Sequence, residues 1–264
     1  MLTKADSAIG DNLNYPFVLL ANQLKKMGHR VATIDTDNIN KFDIIVFVEF
    51  PGFGNPYFKK LIKNDFSARG GSASGGKNIY LILLESTLIK PDNYIKKNHV
   101  YFKKIFTWSD ELIDSPSNSS GEAKKYIKIQ YSHYIPPELN FRLQKDALCA
   151  MIASNKSSNY PNELYSERIH AIQWFEKNHP QDFDLYGADW NKYHFEGTFL
   201  GIKIARLNRL NFLTKLLAQH HPSYKGKVIS KNQTYQKYKF SICYENIKNI
   251  PGYITEKIFD CFLA

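Results

Sequence analysis

The chain has 264 residues, 43% of them hydrophobic, enough to bury one large core or two ordinary ones. Its 35 Lys and Arg against 25 Asp and Glu leave a formal charge of +10, which favours an anionic partner: a nucleotide, a nucleic acid or an anionic membrane. The basic residues fall in scattered pairs, Lys25-Lys26, Lys59-Lys60 and Lys103-Lys104, without the arginine-rich stripe or aromatic ladder of a nucleic-acid groove, so nucleic acid ranks last among these.

The first expected element is a helix whose stripe Phe17, Leu20, Leu24 and Met27 opens after Pro16 and stops at Gly28. Short apolar runs follow at 31–34, 43–50 and 78–84. Each is too short for a helix and rich in β-branched or aromatic residues, the pattern of a buried parallel strand. Between the last two, 56–63 reads as helical and the Gly- and Ser-rich stretch 69–76 as a surface loop. Runs at 104–108 and 126–130 continue the pattern to Pro136-Pro137, the expected boundary between a first lobe, 1–136, and a second, 137–264. The second lobe restarts with a strand at 147–153, then a helix at 162–177, a strand at 183–186, a helix at 207–218, a strand at 240–244 and a helix from Thr255 onward. The expectation is an α/β chain of two doubly wound lobes in tandem, an arrangement suited to a ligand held between them.

Ala264 falls inside an apolar helical stripe at Ile258, Phe259, Phe262 and Leu263, so the second lobe is expected to lack its last part. No stretch approaches the roughly 18 apolar residues of a membrane span. Residues 1–6 lack the charged-then-apolar order of a signal peptide. The expected location is the bacterial cytoplasm, with a peripheral membrane contact compatible with the charge. Cys149, Cys243 and Cys261 each lie in an apolar run and read as buried thiols.

The most informative segment runs Tyr238-Lys239-Phe240-Ser241-Ile242-Cys243-Tyr244-Glu245-Asn246, then after a short loop Gly252-Tyr253-Ile254-Thr255-Glu256-Lys257-Ile258-Phe259-Asp260. Physically it is strand, loop and helix start. Thr255 suits an N-cap, which puts Glu256 and Lys257 in a first turn where free N–H groups and the helix dipole attract a phosphate. Lys257 adds a full charge there. Glu256 can accept hydrogen bonds from sugar hydroxyls, and the Tyr253 ring offers a face to a sugar or base. Each residue taken alone is better explained by an ordinary helix start, strand end or core aromatic; the ordered combination is what suggests a nucleotide-sugar pocket.

That string resembles the signature of the α-1,3/4-fucosyltransferases, glycosyltransferase family ten, in its bacterial type: an aromatic-Glu-Asn, a short loop, then Tyr-x-Thr-Glu-Lys. Upstream, Tyr224-Lys225-Gly226-Lys227-Val228 and Lys231 are also similar. The resemblance implies two Rossmann-like lobes of the GT-B type and donor-binding roles for Asn246, Tyr253, Glu256 and Lys257, the lysine engaging the diphosphate of GDP-fucose. Ser154-Asn155, with Arg168 in the following helix, resembles the family's Ser-Asn and its phosphate-binding arginine, at a longer spacing. A solvated helix arginine is the alternative for Arg168.

Inverting transfer needs a carboxylate to take the acceptor proton while cations stabilise the departing diphosphate. Glu49 and Glu85 both stand at carboxyl ends of expected first-lobe strands, which face the crevice in doubly wound sheets. Glu85-Ser86, with Pro91, Asn93 and Phe106-Thr107-Trp108-Ser109-Asp110 beyond, is similar to the stretch where the family carries its general base, so Glu85 is the expected base and Glu49 the alternative. The run 70–76 lacks the lysine of a phosphate loop, and the scattered histidines, His220-His221 included, lack metal-ligand spacing. No metal or separate cofactor is called for; GDP-fucose is the co-substrate, and an acceptor oligosaccharide or glycoconjugate the other partner. The rival readings are an inactive nucleotide-sugar-binding relic and a GT-B transferase using another sugar nucleotide.

Overall fold

The computed structural model describes residues 12–68, 78–115, 124–130, 133–138, 144–193, 195, 198–199 and 202–264; the expected loop at 69–76 lies outside them. The chain is an α/β protein with two parallel four-stranded sheets, consistent with two Rossmann-like lobes. Its contacts divide it into two units. Asn12–Tyr134 with Asn249–Thr255 make the first, and Ile135–Lys248 with Glu256–Ala264 the second. The stretch that begins at Asn249 therefore belongs to the first unit, although it lies well beyond residue 136.

The first unit opens with α1 (Tyr15–Lys26), Pro16 in its first turn and Lys25 and Lys26 in its last, where cations suit the dipole. The run at 31–34 is not a strand. Thr36 donates both its N–H and its hydroxyl to the Thr33 carbonyl, and that turn cuts the run at its third residue. The sheet begins instead at β1 (Ile44–Val48). Helix α2 (Pro56–Ala68) follows, capped by Asn55, whose side-chain oxygen accepts from Tyr57 and Phe58 N–H. Then come β2 (Asn78–Leu83), two 3-10 helices (Pro91–Tyr94 and Lys96–Tyr101), β3 (Lys104–Thr107), the short α3 (Asp110–Ile113) and β4 (Tyr126–Lys128).

The order β1-β2-β3-β4 is sequential and every pairing parallel. One face is sealed: Ile45, Ile79, Leu81, Leu83 and Ile105 pack with Phe58 and Phe102, whose rings stack at 5.6 Å. On the edge strand β1 the alternate residues Ile44 and Val46 are 55% and 47% exposed, so burial there has period two and not the continuous burial expected of a central parallel strand.

The second unit contains β5 (Ala147–Ile152), α4 (Tyr165–Asn178), β6 (Phe183–Tyr186), the small hairpin β7 (Thr198–Phe199) and β8 (Ile202–Lys203), α5 (Asn211–Leu216), β9 (Tyr224–Gly226), α6 (Lys231–Tyr235), β10 (Tyr238–Ile242) and α7 (Glu256–Phe262). The helix expected at 207–218 is broken. A 3-10 helix ends at Arg209 and α5 starts at Asn211, because the Asn208 amide bonds both the N–H and the carbonyl of Phe195 and holds its turn out of helical register. The sheet order is β10-β5-β6-β9, all parallel. The chain thus starts in the middle at β5, steps outward to β6 and β9, and returns to the other side of β5 with β10. Cys149, Met151, Phe183 and Leu185 pack against Ile172 and Phe175 of α4. Among the described residues no helix is long and apolar enough to cross a membrane.

Candidate functional site

Parallel strands deliver their carboxyl ends to one edge of a sheet, and in the first unit that edge carries Glu49 after β1, Glu85 after β2, Trp108 to Asp110 after β3, and Lys128 at the end of β4. Glu49 has φ +65°, a left-handed conformation that costs a residue with a side chain on the order of 1 kcal/mol. Both oxygens of its carboxylate are engaged: one accepts from Leu84 N–H at 2.9 Å and Glu85 N–H at 3.0 Å, the other from the Asn93 side-chain amide. Burial raises the Glu49 pKa, against the lowering effect of these bonds.

Glu85 is held from its other side as well. Its carbonyl accepts from the Tyr94 hydroxyl at 2.9 Å, and the preceding carbonyl, of Leu84, accepts from the Trp108 indole at 2.8 Å. Behind Asn93 lies a buried relay. The Asn93 main-chain carbonyl can only accept, so His99 Nε2 donates to it at 2.7 Å, and Nδ1 accepts from the Tyr126 hydroxyl at 2.9 Å. Burial lowers the His99 pKa, consistent with a neutral ring.

Tyr253 belongs to this unit, its ring 4.8 Å from that of Trp108. Gly252 makes the approach possible. It has φ +83°, and a Cβ there would stand 2.4 Å from the Trp108 carbonyl oxygen and 2.9 Å from Lys128 Nζ, which itself bonds that carbonyl and the Asp110 carboxylate.

In the second unit the reversal of strand order between β5 and β10 is a topological switch point, the place where open α/β sheets bind ligands. Ser154 and Asn155 follow β5 there, and Tyr244, Glu245 and Asn246 follow β10. Arg168, from the first turn of α4, fastens the second of these loops. It is only 4% exposed, and its Nη2 donates to the carbonyls of Tyr244 (3.2 Å) and Glu245 (2.9 Å) and to the Asn246 side-chain oxygen (3.1 Å). The Tyr165 ring lies 4.8 Å from the guanidinium carbon. Further stitches run from Leu164 N–H to the Asn246 carbonyl and from Lys248 N–H to the Asn162 carbonyl.

The Asn155 amide holds the carbonyls of Asp189 and Lys192, each at 3.2 Å, and so ties the loop after β6 to the end of β5. Glu256 and Lys257 open α7, as expected from sequence, directly after the buried Thr255. Lys257 Nζ lies 3.0 Å from the Glu245 carboxylate and 3.8 Å from that of Glu256. Asn246, Glu256, Lys257, Arg168, Ser154 and Asn155 therefore all belong to the second unit.

The sequence reading missed the Glu49-Asn93-His99-Tyr126 relay. Its only sequence signal is a set of buried polar residues in a segment, 91–101, with neither a helical nor a strand period. It also missed the partnership of two cysteines. Cys243 is exposed, not buried, and hydrogen-bonds the Cys261 thiol, which raises the first thiol's pKa and lowers the second's. His221 is a satisfied core residue, 3.2 Å from Glu176, which also accepts from Ser223. No protein-family model matches the chain, and a search of curated proteins finds no match.

Proposed function

We propose that the chain is an inverting glycosyltransferase of the GT-B type that moves L-fucose from GDP-fucose to a hydroxyl of an acceptor glycan. The observation that carries this reading is the switch point of the second sheet. Three residues selected from sequence for donor binding, Ser154, Asn155 and Asn246, follow the carboxyl ends of the adjacent strands β5 and β10. The lysine expected to meet the diphosphate lies 3.0 Å from the carboxylate of Glu245, the residue before Asn246.

In this reading Lys257 stabilises the charge that builds on GDP as the bond from fucose C1 to the phosphate oxygen breaks. Glu85 receives the proton of the acceptor hydroxyl whose oxygen forms the new bond to C1. Glu85 keeps the role of base on the resemblance of its Glu-Ser stretch, and Glu49 accepts from the Leu84 and Glu85 N–H groups and the Asn93 amide. Arg168, facing backbone carbonyls, holds the Glu245-Asn246 loop, and its contact with phosphate is not part of the proposal. The donor is the only co-substrate besides the acceptor.

The test is transfer from labelled GDP-fucose to a panel of N-acetyllactosamine-type and lipopolysaccharide-type acceptors, with GDP binding followed by calorimetry. Glu85→Gln is expected to lower kcat by roughly 100-fold or more with GDP affinity intact, and Lys257→Ala to weaken GDP binding. Full activity in Glu85→Gln removes the base assignment. GDP affinity unchanged in Lys257→Ala removes the donor site.

A further inference from the structure

We infer that Glu49 is the positioning residue for Glu85, a half-buried anion that fixes the peptide on which the proposed base is carried. This rests on the transferase reading above, and it names a residue that the resemblance does not supply. The geometry is specific. One Glu49 oxygen takes the two consecutive N–H groups at the end of β2, those of Leu84 and of Glu85 itself, at 2.9 and 3.0 Å. The carbonyl of the same Glu85 is taken by Tyr94 at 2.9 Å. The peptide groups on both sides of the Glu85 Cα are thus bonded, and the direction in which its side chain leaves the strand is fixed.

Only an anionic or doubly accepting group satisfies this place. Asn93 is fully buried, and its side-chain oxygen accepts from Phe50 N–H at 2.9 Å, which orients its amide NH2 toward Glu49. Glu49 must therefore accept at both oxygens, on one side from the backbone and on the other from Asn93. A glutamine here would turn its own NH2 either onto the Asn93 NH2 or onto the two backbone N–H groups, and one set of buried donors would be left unmet.

The site is also costly to the fold. Glu49 is a non-glycine residue at φ +65° and a carboxylate largely withdrawn from water. Glu49 also closes the strand pairing: its N–H donates to the Ile82 carbonyl at 2.8 Å, and its carboxylate takes the Leu84 N–H where the β1–β2 register ends. Such strain is found where surrounding structure over-determines a functional geometry. The relay through Asn93 and His99 to Tyr126 on β4 does that here, tying the clamp to a distant strand.

Two readouts test the inference on the full chain. Hydrogen exchange followed residue by residue should show the Leu84 and Glu85 amides exchanging about tenfold or more faster in Glu49→Gln, while the β2 amides of Ile79 to Leu83 keep their protection. In the transfer assay, Glu49→Gln should lower kcat by about 10- to 100-fold with KM for the nucleotide sugar changed less than about twofold, because the nucleotide is held elsewhere. Tyr94→Phe, which removes one hydroxyl and no charge, should lower kcat in the same direction by a smaller factor, and Glu49→Asp should recover part of the loss. Unchanged exchange at Leu84 and Glu85 overturns the clamp. An equal fall in protection across all of β2, or a loss expressed wholly in KM, overturns the positioning role. A wild-type chain that transfers no sugar while the two amides respond as expected overturns the transferase reading and with it the role in catalysis, leaving the anchoring of Glu85 standing.

Discussion

The two units solve one problem with opposite charges. In each, a loop that leaves the carboxyl end of a strand must keep a fixed shape without strand pairing, and its backbone polar groups need partners away from water. The first unit collects N–H groups, of Leu84 and Glu85, on the half-buried anion Glu49. The second collects carbonyls, of Tyr244 and Glu245, on the buried cation Arg168. The difference follows from what each loop leaves over. After β2 the chain presents successive donors toward β1, whereas after β10 it presents successive acceptors toward α4. A charged group at such a place is therefore a scaffold for its neighbours first.

The sharpest way to break the comparison is to remove the cation. Arg168→Met keeps the apolar bulk against Tyr165 but leaves two carbonyls and the Asn246 side chain without their donor, and should destabilise the second unit by about 3 kcal/mol in urea unfolding. Arg168→Lys should recover little. A compact, strongly hydrated ammonium does not reproduce a planar guanidinium held beside the Tyr165 ring in a residue that is 4% exposed. A near-neutral Arg168→Met would mean that solvent already serves those carbonyls, and the loop is not clamped.

A second test uses pH, and the first unit supplies both signs. Glu49 has a raised pKa in the fold, so the folded chain holds that proton more tightly than the unfolded one. Its contribution to stability is greatest below the unfolded value, near 4.5, and is lost as pH rises through the raised folded value. His99 is shifted down by burial, so its contribution is present above its ordinary value of 6.5 and is lost as pH falls through the lowered folded value. Stability of Glu49→Gln relative to the parent should therefore improve as pH is raised from about 4 toward neutrality. His99→Gln should remove the acid-side loss just below 6.5. If the Glu49→Gln difference has no pH slope, the carboxylate does not titrate inside the fold, and the comparison between a costly anion and a costly cation fails.

Local patterns made much of this architecture readable. Most strands were visible as short β-branched or aromatic runs, because a buried parallel strand needs little else, and 183–186 coincides with β6. The helix start at Glu256-Lys257 was visible because capping is a local matter. What failed was decided at a distance. The run 31–34 has strand composition but is ended by a turn, and the helix at 207–218 is interrupted by an asparagine that bonds Phe195, 13 residues away. The Glu49 clamp spans 35 to 44 residues along the chain, and Arg168 reaches 76 to 78 residues to its carbonyls, so no window of sequence holds both ends of either. The solvated alternative for Arg168 is excluded by its burial, a property of the α4 to β10 packing and not of its neighbours in sequence.

The smallest expected effect is the most informative about the donor site. Lys257 and Glu245 are paired at 3.0 Å with side chains 26% and 21% exposed, so solvent screens the pair and its removal should change stability by no more than about 0.5 kcal/mol. Binding should respond more strongly. If the diphosphate docks on Lys257, it competes with the Glu245 carboxylate for the same ammonium, and Glu245→Gln relieves that competition and removes a negative charge from the approach. GDP should then bind about three- to tenfold more tightly to Glu245→Gln than to the parent, with the gain shrinking as salt is raised. Calorimetry at two ionic strengths measures both quantities. Weaker GDP binding in Glu245→Gln would mean that the carboxylate holds Lys257 in place for the ligand, making it the third charged scaffold of the molecule after Glu49 and Arg168.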